Sequence, residues 1–324
     1  MSSMKDALLD VKGLKTHFFT SYGTVKAIDG IDFHINKGET VGLVGESGCG
    51  KSVTGLSIMR LVSDPPGKII EGQILYEGSD LLKLSENEIR KIRGSKIAIS
   101  FQDPMTYLNP VKRVVDQVAE AISLHQVVTK KEALEKAVET MELVGIHSAA
   151  ERSRDYPHQF SGGMRQRIMI AMAICCGPDL LVADEPTTNL DVIVQDQILD
   201  MMEDLKKKIG ASILLITHDL GVVAEVSNRV IVMYAGNIME VSDVSSIFLE
   251  PLHPYTQGLL ESIPRLNIGK ERLKSIKGVV PNLIDPLPGC KFHPRCDRAM
   301  DICNKKRPKL AITGDRYVSC HLYE

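Results

Sequence analysis

A glycine-rich stretch near the start of the chain has the residue types and spacing of a phosphate-binding loop. It fits G-x-x-x-x-G-K-[ST] and comprises Gly45, Glu46, Ser47, Gly48, Cys49, Gly50, Lys51 and Ser52. In such a loop, backbone N–H groups converge on phosphate oxygens, and the dipole of the following helix favours their negative charge. We expect Lys51 to reach the β- and γ-phosphates of a nucleotide and Ser52 to ligate Mg²⁺, with Cys49 as a small filler. This P-loop (residues 45–52) predicts binding of a nucleotide polyphosphate.

Four polar side chains that follow apolar runs have the chemistry to hydrolyse a bound nucleotide. Asp184 stands at the tip of a predicted strand, where its carboxylate can hold Mg²⁺ through water, and Glu185 is the candidate to polarise the attacking water. The amide of Gln102 can meet Mg²⁺ or water, and His218 can hydrogen-bond a γ-phosphate. Each residue alone also fits a structural role, but after a P-loop the catalytic interpretation is favoured.

A second helix start of the phosphate-binding type lies downstream, at Ser161, Gly162 and Gly163. Ser161 is a predicted N-cap, the two glycines leave backbone donors exposed, and residues 164–174 continue as an apolar helix. One ATP does not need two such cradles in a single subunit. We therefore expect the second cradle to serve ATP bound to a partner, so that the active unit is a dimer with two shared sites. The alternative is a helix that merely begins with Ser-Gly-Gly.

The apolar patterning indicates an α/β core that positions these side chains. The first forty residues read as antiparallel strands, since Ile31, Phe33 and Ile35 alternate with polar residues. Short continuous apolar runs, as in strands buried on both faces of a parallel sheet, occur at 41–44, 97–99, 180–183, 213–216 and 230–233.

The middle of the chain changes to a helical period. Apolar residues fall at helical spacing at Val111, Val114, Val115, Val118 and Ile122. Thr129 and Glu132 form a predicted capping box for a second helix that Gly145 closes. A helical insertion is therefore predicted between the two halves of the nucleotide core, and a proline-rich extension follows residue 244.

Composition and charge narrow the class of protein. The chain has 324 residues, is 44% hydrophobic and 25% charged, and carries a formal net charge of -2, which gives no electrostatic footprint for nucleic acid. It contains no apolar run long enough for a membrane span, and residues 1–10 lack a basic region followed by an apolar stretch, so we expect no secretory signal. We expect a cytoplasmic protein, in which seven cysteines do not form disulfides.

Together these motifs resemble those of the ATP-binding cassette (ABC) ATPases across residues 8–245. The matching residues, in chain order, are the P-loop, Gln102, Ser161, Gly162, Gly163, Asp184, Glu185, Thr188, Asn189, Leu190, Asp191 and His218. The resemblance implies ATP and Mg²⁺ as ligands, with Ser52, Gln102 and Asp184 at the metal. It also implies that Tyr22 stacks on adenine and that Asp191 belongs to the nucleotide site.

Two residues depart from the family pattern. Met164 stands where Gln is common, which leaves the serine hydroxyl and glycine amides intact. Asn189 stands where Ala is usual, in a loop that the family uses for dimer contact. We therefore expect catalysis to follow the family more closely than the coupling between the two sites.

The tail resembles the C-terminal region of dipeptide and oligopeptide importer ATPases over residues 249–324. The motifs are His253-Pro254-Tyr255-Thr256, Ile263-Pro264 and Gly289-Cys290-Lys291-Phe292-His293-Pro294-Arg295-Cys296. This implies an ATPase peripheral on the inner face of the cell membrane, with two membrane permeases and an external solute-binding protein. A second, different ABC ATPase subunit is expected as its partner in a heterodimer. Nucleic acid is not expected as a partner.

Four cysteines lie close together in the tail: Cys290, Cys296, Cys303 and Cys320. Thiolates in a reducing compartment suggest a metal, and four of them suit tetrahedral zinc or a four-iron cluster. The spacing lacks the paired C-x₂-C of structural zinc, and some importer ATPases of the resembled type carry a [4Fe–4S] cluster at similar spacing. We favour [4Fe–4S], with zinc second, in which case His293 and His321 can also serve as ligands. Unmetallated cysteines are the third alternative.

The predicted fold is α/β, a P-loop NTPase core with a mostly parallel sheet, an antiparallel β subdomain, a helical insertion and a small C-terminal extension. The predicted domains are the core at 1–102 and 161–248, the helical subdomain at 103–160 and the extension at 249–324. The predicted function is ATP hydrolysis that powers a dipeptide or oligopeptide importer. Alternatives are an importer ATPase for nickel or another small solute, a soluble ABC ATPase outside transport, and a P-loop kinase, which would not need the Ser161 cradle.

Overall fold

The computed structural model describes residues 7–263, 276–284, 286–314 and 316–324. Pro264, the second residue of the Ile263-Pro264 motif, lies outside the described residues, as do residues 1–6 of the predicted core. The chain forms two compact units. Unit 1 comprises Met1–Ile35, Thr40–Leu82 and Thr217–Glu324, and unit 2 comprises Asn36–Glu39 and Lys83–Ile216. Among the described residues, no helix has both the length and the apolar character to cross a membrane.

The strands and helices follow one another in the α/β pattern that the apolar runs predict. The strands are β1 (Ala7–Thr20), β2 (Gly23–Asn36), β3 (Thr40–Val44), β4 (Gly67–Tyr76), β5 (Ser79–Asp80), β6 (Ile97–Ser100), β7 (Leu180–Asp184), β8 (Ser212–Ile216), β9 (Arg229–Tyr234), β10 (Asn237–Asp243), β11 (Ala311–Thr313) and β12 (Arg316–Val318). The helices are α1 (Lys51–Ile58), α2 (Glu86–Ile92), α3 (Pro104–Tyr107), α4 (Val114–His125), α5 (Lys130–Leu143), α6 (Ala149–Arg152), α7 (Gly162–Ile174), α8 (Val192–Ile209), α9 (Leu220–Val226), α10 (Val244–Leu249) and α11 (Pro254–Glu261).

Unit 1 contains an antiparallel sheet in the order β2-β1-β4-β5. Strand β2 shows the predicted alternation, since Ile31, Phe33 and Ile35 are buried while the residues between them are at least partly exposed. The antiparallel subdomain expected near the start of the chain is therefore present.

The remaining strands of unit 1 combine a parallel pair with an antiparallel edge. Strand β3 runs parallel to β9, and β10 continues from β9 in the antiparallel direction. Strands β12 and β11 of the tail add to β10, also antiparallel. The tail is thus a structural part of unit 1, and its side chains pack in the same apolar cluster as those of β9.

Unit 2 holds the parallel strands β6, β7 and β8, paired in that order along the sheet. All five residues of β7 and of β8 are buried, as their continuous apolar sequences predict.

The helical insertion in unit 2 has the predicted capping box. The Thr129 side chain accepts the Glu132 N–H, the Glu132 side chain accepts the Thr129 N–H, and Gly145 follows the helix end with φ +78°. Helix α4 begins at Val114 instead of Val111, which is 80% exposed. The Gln117 amide donates to the carbonyls of Asn109 and Lys112, and these bonds stabilise a turn before the helix.

Candidate functional site

The P-loop in unit 1 follows a fully buried strand and opens helix α1, as expected. Two of its glycines have no room for a side chain. A Cβ at Gly45 would lie 2.1 Å from the Met233 carbonyl oxygen, and one at Gly50 would lie 2.5 Å from the Ala27 carbonyl oxygen. Gly50 also has φ +109°, a conformation that favours glycine. The loop backbone therefore packs directly on the neighbouring strands, which sets the direction of its N–H groups.

Lys51, the first residue of α1, is buried, with its side chain directed back over the loop. Its Nζ donates to the carbonyl oxygens of Gly45 at 2.8 Å and of Glu46 at 3.3 Å. The adjacent Ser52 is exposed, while burial raises the pKa of the Cys49 thiol. This supports the interpretation of Cys49 as an inert packing residue. Lys51 is fixed on the same loop whose backbone is expected to bind phosphate.

Two further candidate residues lie in unit 1. Tyr22 occupies the turn between β1 and β2 and is 87% exposed, which suits a ring available for stacking. His218 is exposed and follows Thr217, whose N–H donates to the Leu43 carbonyl at 3.2 Å. This bond places His218 beside β3, the strand that leads into the P-loop.

In unit 2 the structure brings Gln102 and Glu185 together. The Gln102 Nε2 donates to Glu185 Oε2 at 2.8 Å, and the Thr188 hydroxyl donates to the same oxygen, also at 2.8 Å. The Glu185 N–H donates to the Ile216 carbonyl at 2.8 Å. Asp184, the last residue of β7, is buried immediately before it.

The backbone of Glu185 is strained. Its φ is +47°, which is rare for a residue with a side chain. Such strain persists only where the surroundings hold the residue, and it is concentrated at functional sites. Sequence reasoning did not assign a role to Thr188, although it lies in the loop that was matched to the ABC pattern.

Ser161 is the N-cap of α7, as predicted. Its hydroxyl accepts the Met164 N–H at 3.4 Å, and residues 162–174 form the helix. A Cβ at Gly163 would lie 2.4 Å from Val194 Cγ1, whereas one at Gly162 would have only an ordinary contact with Leu190, at 3.7 Å. Close packing against α8 therefore requires glycine at position 163.

The loop before α8 explains one of the two departures from the ABC pattern. Asn189 has φ +64°, a left-handed conformation that Asn adopts more readily than Ala. Asp191 is the N-cap of α8, and its side chain accepts the Val194 N–H at 3.0 Å. This carboxylate thus has a structural role in the described residues, and its predicted part in nucleotide binding stays a prediction.

The four tail cysteines converge on one small cavity of unit 1. Its volume is about 10 Å³, and its lining includes all four cysteines, His293 and His321. Burial raises the pKa of Cys290 to about 11, and the other three thiolates would raise it further. Burial also raises the pKa values of Cys296 and Cys320.

The predicted iron–sulfur cluster is not supported by this arrangement. Within the described ranges, no group of three or more His, Cys, Asp or Glu side chains is arranged to hold a metal ion. The cavity has room for about one water molecule, which is far less than a four-iron cluster needs. The donor type fits a soft metal, whereas the present geometry does not.

Two residues that contact the P-loop were named from the sequence only as members of the tail motifs, with no contact to the P-loop expected. The Glu46 N–H donates to the Tyr255 hydroxyl at 2.9 Å, and the Glu46 carboxylate pairs with Arg295. Both partners belong to the tail motifs, more than two hundred positions away. No local spacing in the sequence connects them to the loop.

Two family models match the chain. One, described as ABC transporter, matches residues 28–188. The other, described as the C-terminal region of oligopeptide/dipeptide transporters, matches residues 239–303.

Individual proteins are similar to the chain over nearly its full length. The oligopeptide transport ATP-binding protein AppD of Bacillus subtilis is 53% identical, with 98% of this chain and 97% of that protein covered. The dipeptide transport ATP-binding protein DppD of Haemophilus influenzae is 49% identical, with 97% of this chain and 95% of that protein covered.

Solved structures with a similar fold include a dimer of the ATP-binding cassette MJ0796 bound to ADP and phosphate. It has a TM-score of 0.65 and 25% identity, and the match covers 73% of this chain and 98% of that one. The cbiO1 protein of Clostridium perfringens, part of an ABC transporter complex, has a TM-score of 0.65 and 27% identity, with coverages of 76% and 92%.

Proposed function

The chain belongs to the ABC transporter family of ATPases, and from this premise we propose that it powers a dipeptide or oligopeptide importer. The observation that carries the importer assignment is the match of residues 239–303, which include the first part of the tail, to the C-terminal region of oligopeptide and dipeptide transporters. A cassette ATPase outside transport has no evident need for this extension. Nickel or another small solute is the second candidate cargo.

The chemistry requires positioning and charge neutralisation and no covalent intermediate. Lys51 and the P-loop amides bind and orient the phosphates, and His218 hydrogen-bonds the γ-phosphate. Glu185, held by Gln102 and Thr188, accepts a proton from the attacking water. Ser52, Gln102 and Asp184 would hold Mg²⁺, which when bound neutralises charge on the phosphates.

The Ser161 cradle serves a nucleotide bound by a second ATPase subunit. Its capped helix N-terminus and the two glycines present backbone donors of the kind that bind phosphate. The solved ADP-bound cassette of similar fold is a dimer, which supports this proposal. Ser161→Arg should stop hydrolysis while ATP still binds to the P-loop of the same chain. Loss of ATP binding by the isolated variant chain would contradict the shared site.

The complex that this function requires contains four kinds of component. They are this chain, a second and different ABC ATPase, two membrane permeases and an external solute-binding protein. The chain then lies on the cytoplasmic face of the membrane, attached through the permeases. The helical insertion transmits the closing of the ATPase pair to them.

Purification of the tagged chain from its own membranes tests the assignment. We expect two permeases and a second ATPase to copurify, and the complex in liposomes to take up labelled di- and oligopeptides when ATP is supplied on the ATPase side. The Glu185→Gln complex is the matched control and should take up none. Uptake of Ni²⁺ but not of peptides would identify nickel as the transported solute instead of peptides. Copurification of ribosomes or DNA without permeases would contradict the importer function.

We also propose that the tail cysteines hold a metal group of structural role, [4Fe–4S] in preference to zinc. Convergence of four thiols on one cavity supports this, and the cavity would have to widen to admit the cluster. The test is anaerobic purification followed by iron, sulfide and zinc analysis. About four irons per chain, lost in Cys296→Ser, would support the cluster. A metal-free chain would contradict both forms of the proposal.

A further inference from the structure

Glu46, the second residue of the P-loop, is held from three directions within unit 1. Its carboxylate accepts two hydrogen bonds from Arg295, Nη1 to Oε2 at 2.6 Å and Nη2 to Oε1 at 3.0 Å. Its N–H donates to the Tyr255 hydroxyl at 2.9 Å, and its carbonyl accepts a bond from Lys51 Nζ at 3.3 Å. The tail therefore contacts the same residue as the phosphate-binding lysine.

The pair of Arg295 and Glu46 is largely removed from solvent. The Arg295 side chain is only 4% exposed and that of Glu46 is 26% exposed. Two parallel N–H···O bonds between a guanidinium and a carboxylate fix both distance and orientation. These bonds raise the pKa of Arg295 above its already high value, so the pair stays ionised. Removal of one partner would leave a poorly solvated charge.

Arg295 is anchored firmly in the tail. Its Nε donates to the Lys277 carbonyl at 2.9 Å, and its Nη1 donates to the Tyr234 hydroxyl at 3.2 Å. Below it, Phe292 packs against Tyr234 and Tyr255 with ring centroids 5.4 Å and 5.3 Å apart. The position of the Arg295 guanidinium is thus determined by the tail and by the end of β9.

The charge of Glu46 makes this contact more than an anchor. A carboxylate inside a phosphate-binding loop repels the phosphates, and the repulsion is strongest where water is partly excluded. Arg295 neutralises that carboxylate and also holds the loop backbone from which Lys51 extends.

We propose that Arg295 is a positioning residue for ATP binding: it neutralises Glu46 and holds the P-loop in its phosphate-binding form. Arg295 acts through Glu46 and does not touch the nucleotide. The inference rests on the proposed function only in that ATP is the ligand of the P-loop, and it holds whatever solute the complex transports. It makes the tail a part of the nucleotide site.

The test compares Mg²⁺–ATP affinity, by calorimetry on the full chain, among matched variants. Arg295→Gln should bind ATP roughly tenfold more weakly, because Glu46 is left unneutralised. Addition of Glu46→Gln should restore affinity to within about threefold of the wild type, since the repelling charge is then gone. Arg295→Lys keeps the positive charge but cannot form both hydrogen bonds to the carboxylate. Its ATP affinity should therefore lie between those of Arg295→Gln and the wild type.

Arg307→Gln is the control, because Arg307 also joins the tail to the rest of unit 1, through the carbonyls of Asp29 and Gly30, without contacting the P-loop. Its ATP affinity should match the wild type. Unchanged affinity in Arg295→Gln would overturn the proposal. The proposal would also be overturned if the double variant bound ATP as weakly as Arg295→Gln alone, or if Arg307→Gln lost as much ATP affinity as Arg295→Gln. A wild-type chain that binds no ATP would instead contradict the proposed function.

Discussion

The Gln102 amide donates a hydrogen bond of 2.8 Å to the carboxylate of Glu185, and the Thr188 hydroxyl donates to the same oxygen. One oxygen thus has two neutral donors, which orient the carboxylate without supplying a countercharge. The Glu185 backbone is also held in a left-handed conformation, so both the side chain and the backbone that carries it are fixed. Such an arrangement suits a carboxylate that must meet a water molecule in one orientation.

Glu185→Gln should lower ATP turnover by a factor of about 10² to 10⁴, because an amide cannot accept the proton of water. ATP binding should persist, since the P-loop is unchanged, and a nucleotide-bound dimer should accumulate. Phosphate release from the assembled complex and size-exclusion chromatography with ATP measure the two effects. Glu203→Gln, which removes an ion-paired carboxylate on α8, is the control. Normal turnover in Glu185→Gln would remove Glu185 from its role.

Gly163→Ala should destabilise unit 2 by about 1–3 kcal/mol, although alanine favours helices, because overpacking outweighs propensity here. The new Cβ would lie 2.4 Å from Val194 Cγ1. Gly162→Ala, whose Cβ has only an ordinary contact, should leave the thermal midpoint unchanged or raise it. Adding Val194→Ala to Gly163→Ala should recover part of the loss. Equal midpoints for the two glycine variants would contradict this packing argument.

The features predicted correctly from the sequence depend on neighbouring residues. The capping box of Thr129 and Glu132, the N-cap at Ser161 and the buried runs of β7 and β8 are each determined within a few positions. A hydrogen bond to a nearby N–H or burial on both faces of a sheet leaves a local pattern of residue types. For this reason the core strands and these helix starts could be predicted from the sequence, while the roles of the candidate site residues stay predictions.

Asn189→Ala should cost roughly 1 kcal/mol, because alanine at φ +64° meets a steric penalty that asparagine partly avoids. Asn189→Gly is the matched control, since glycine has no Cβ and should keep this conformation at a smaller cost. The measurement is the unfolding midpoint of the full chain in urea. If both variants unfold at the same concentration, the backbone conformation does not explain the choice of asparagine.

The features that sequence reasoning missed depend on distant residues. Glu46 and Arg295 are 249 positions apart, and neither residue type signals the other. Val111 fits the helical period, yet the turn before α4 excludes it, because Gln117 satisfies the backbone carbonyls of that turn. Tertiary contacts decide both outcomes, so a single sequence without the fold cannot reveal them.

Stability should fall in mild acid because of His253, whose burial lowers its pKa to about 4 from an ordinary 6.5. The ring is the N-cap of α11, where Nδ1 accepts the Tyr255 N–H at 3.0 Å. Between pH 6.5 and 4 the unfolded chain binds a proton that the folded chain refuses, so acid favours unfolding. Above pH 6.5 His253 does not lower the free energy of unfolding. As the pH falls from 6.5 to 4, His253 lowers this free energy by about 3 kcal/mol.

His253→Asn isolates this effect, because asparagine also caps a helix but does not titrate in this range. The buried Glu240 carboxylate, which accepts the backbone N–H of His253, is present in both chains. In urea unfolding at pH 7, 6, 5 and 4, the wild-type midpoint should therefore fall more steeply than that of the variant, with the difference confined to pH values below 6.5. Parallel profiles would mean that His253 accepts its proton in the folded chain as readily as in the unfolded one.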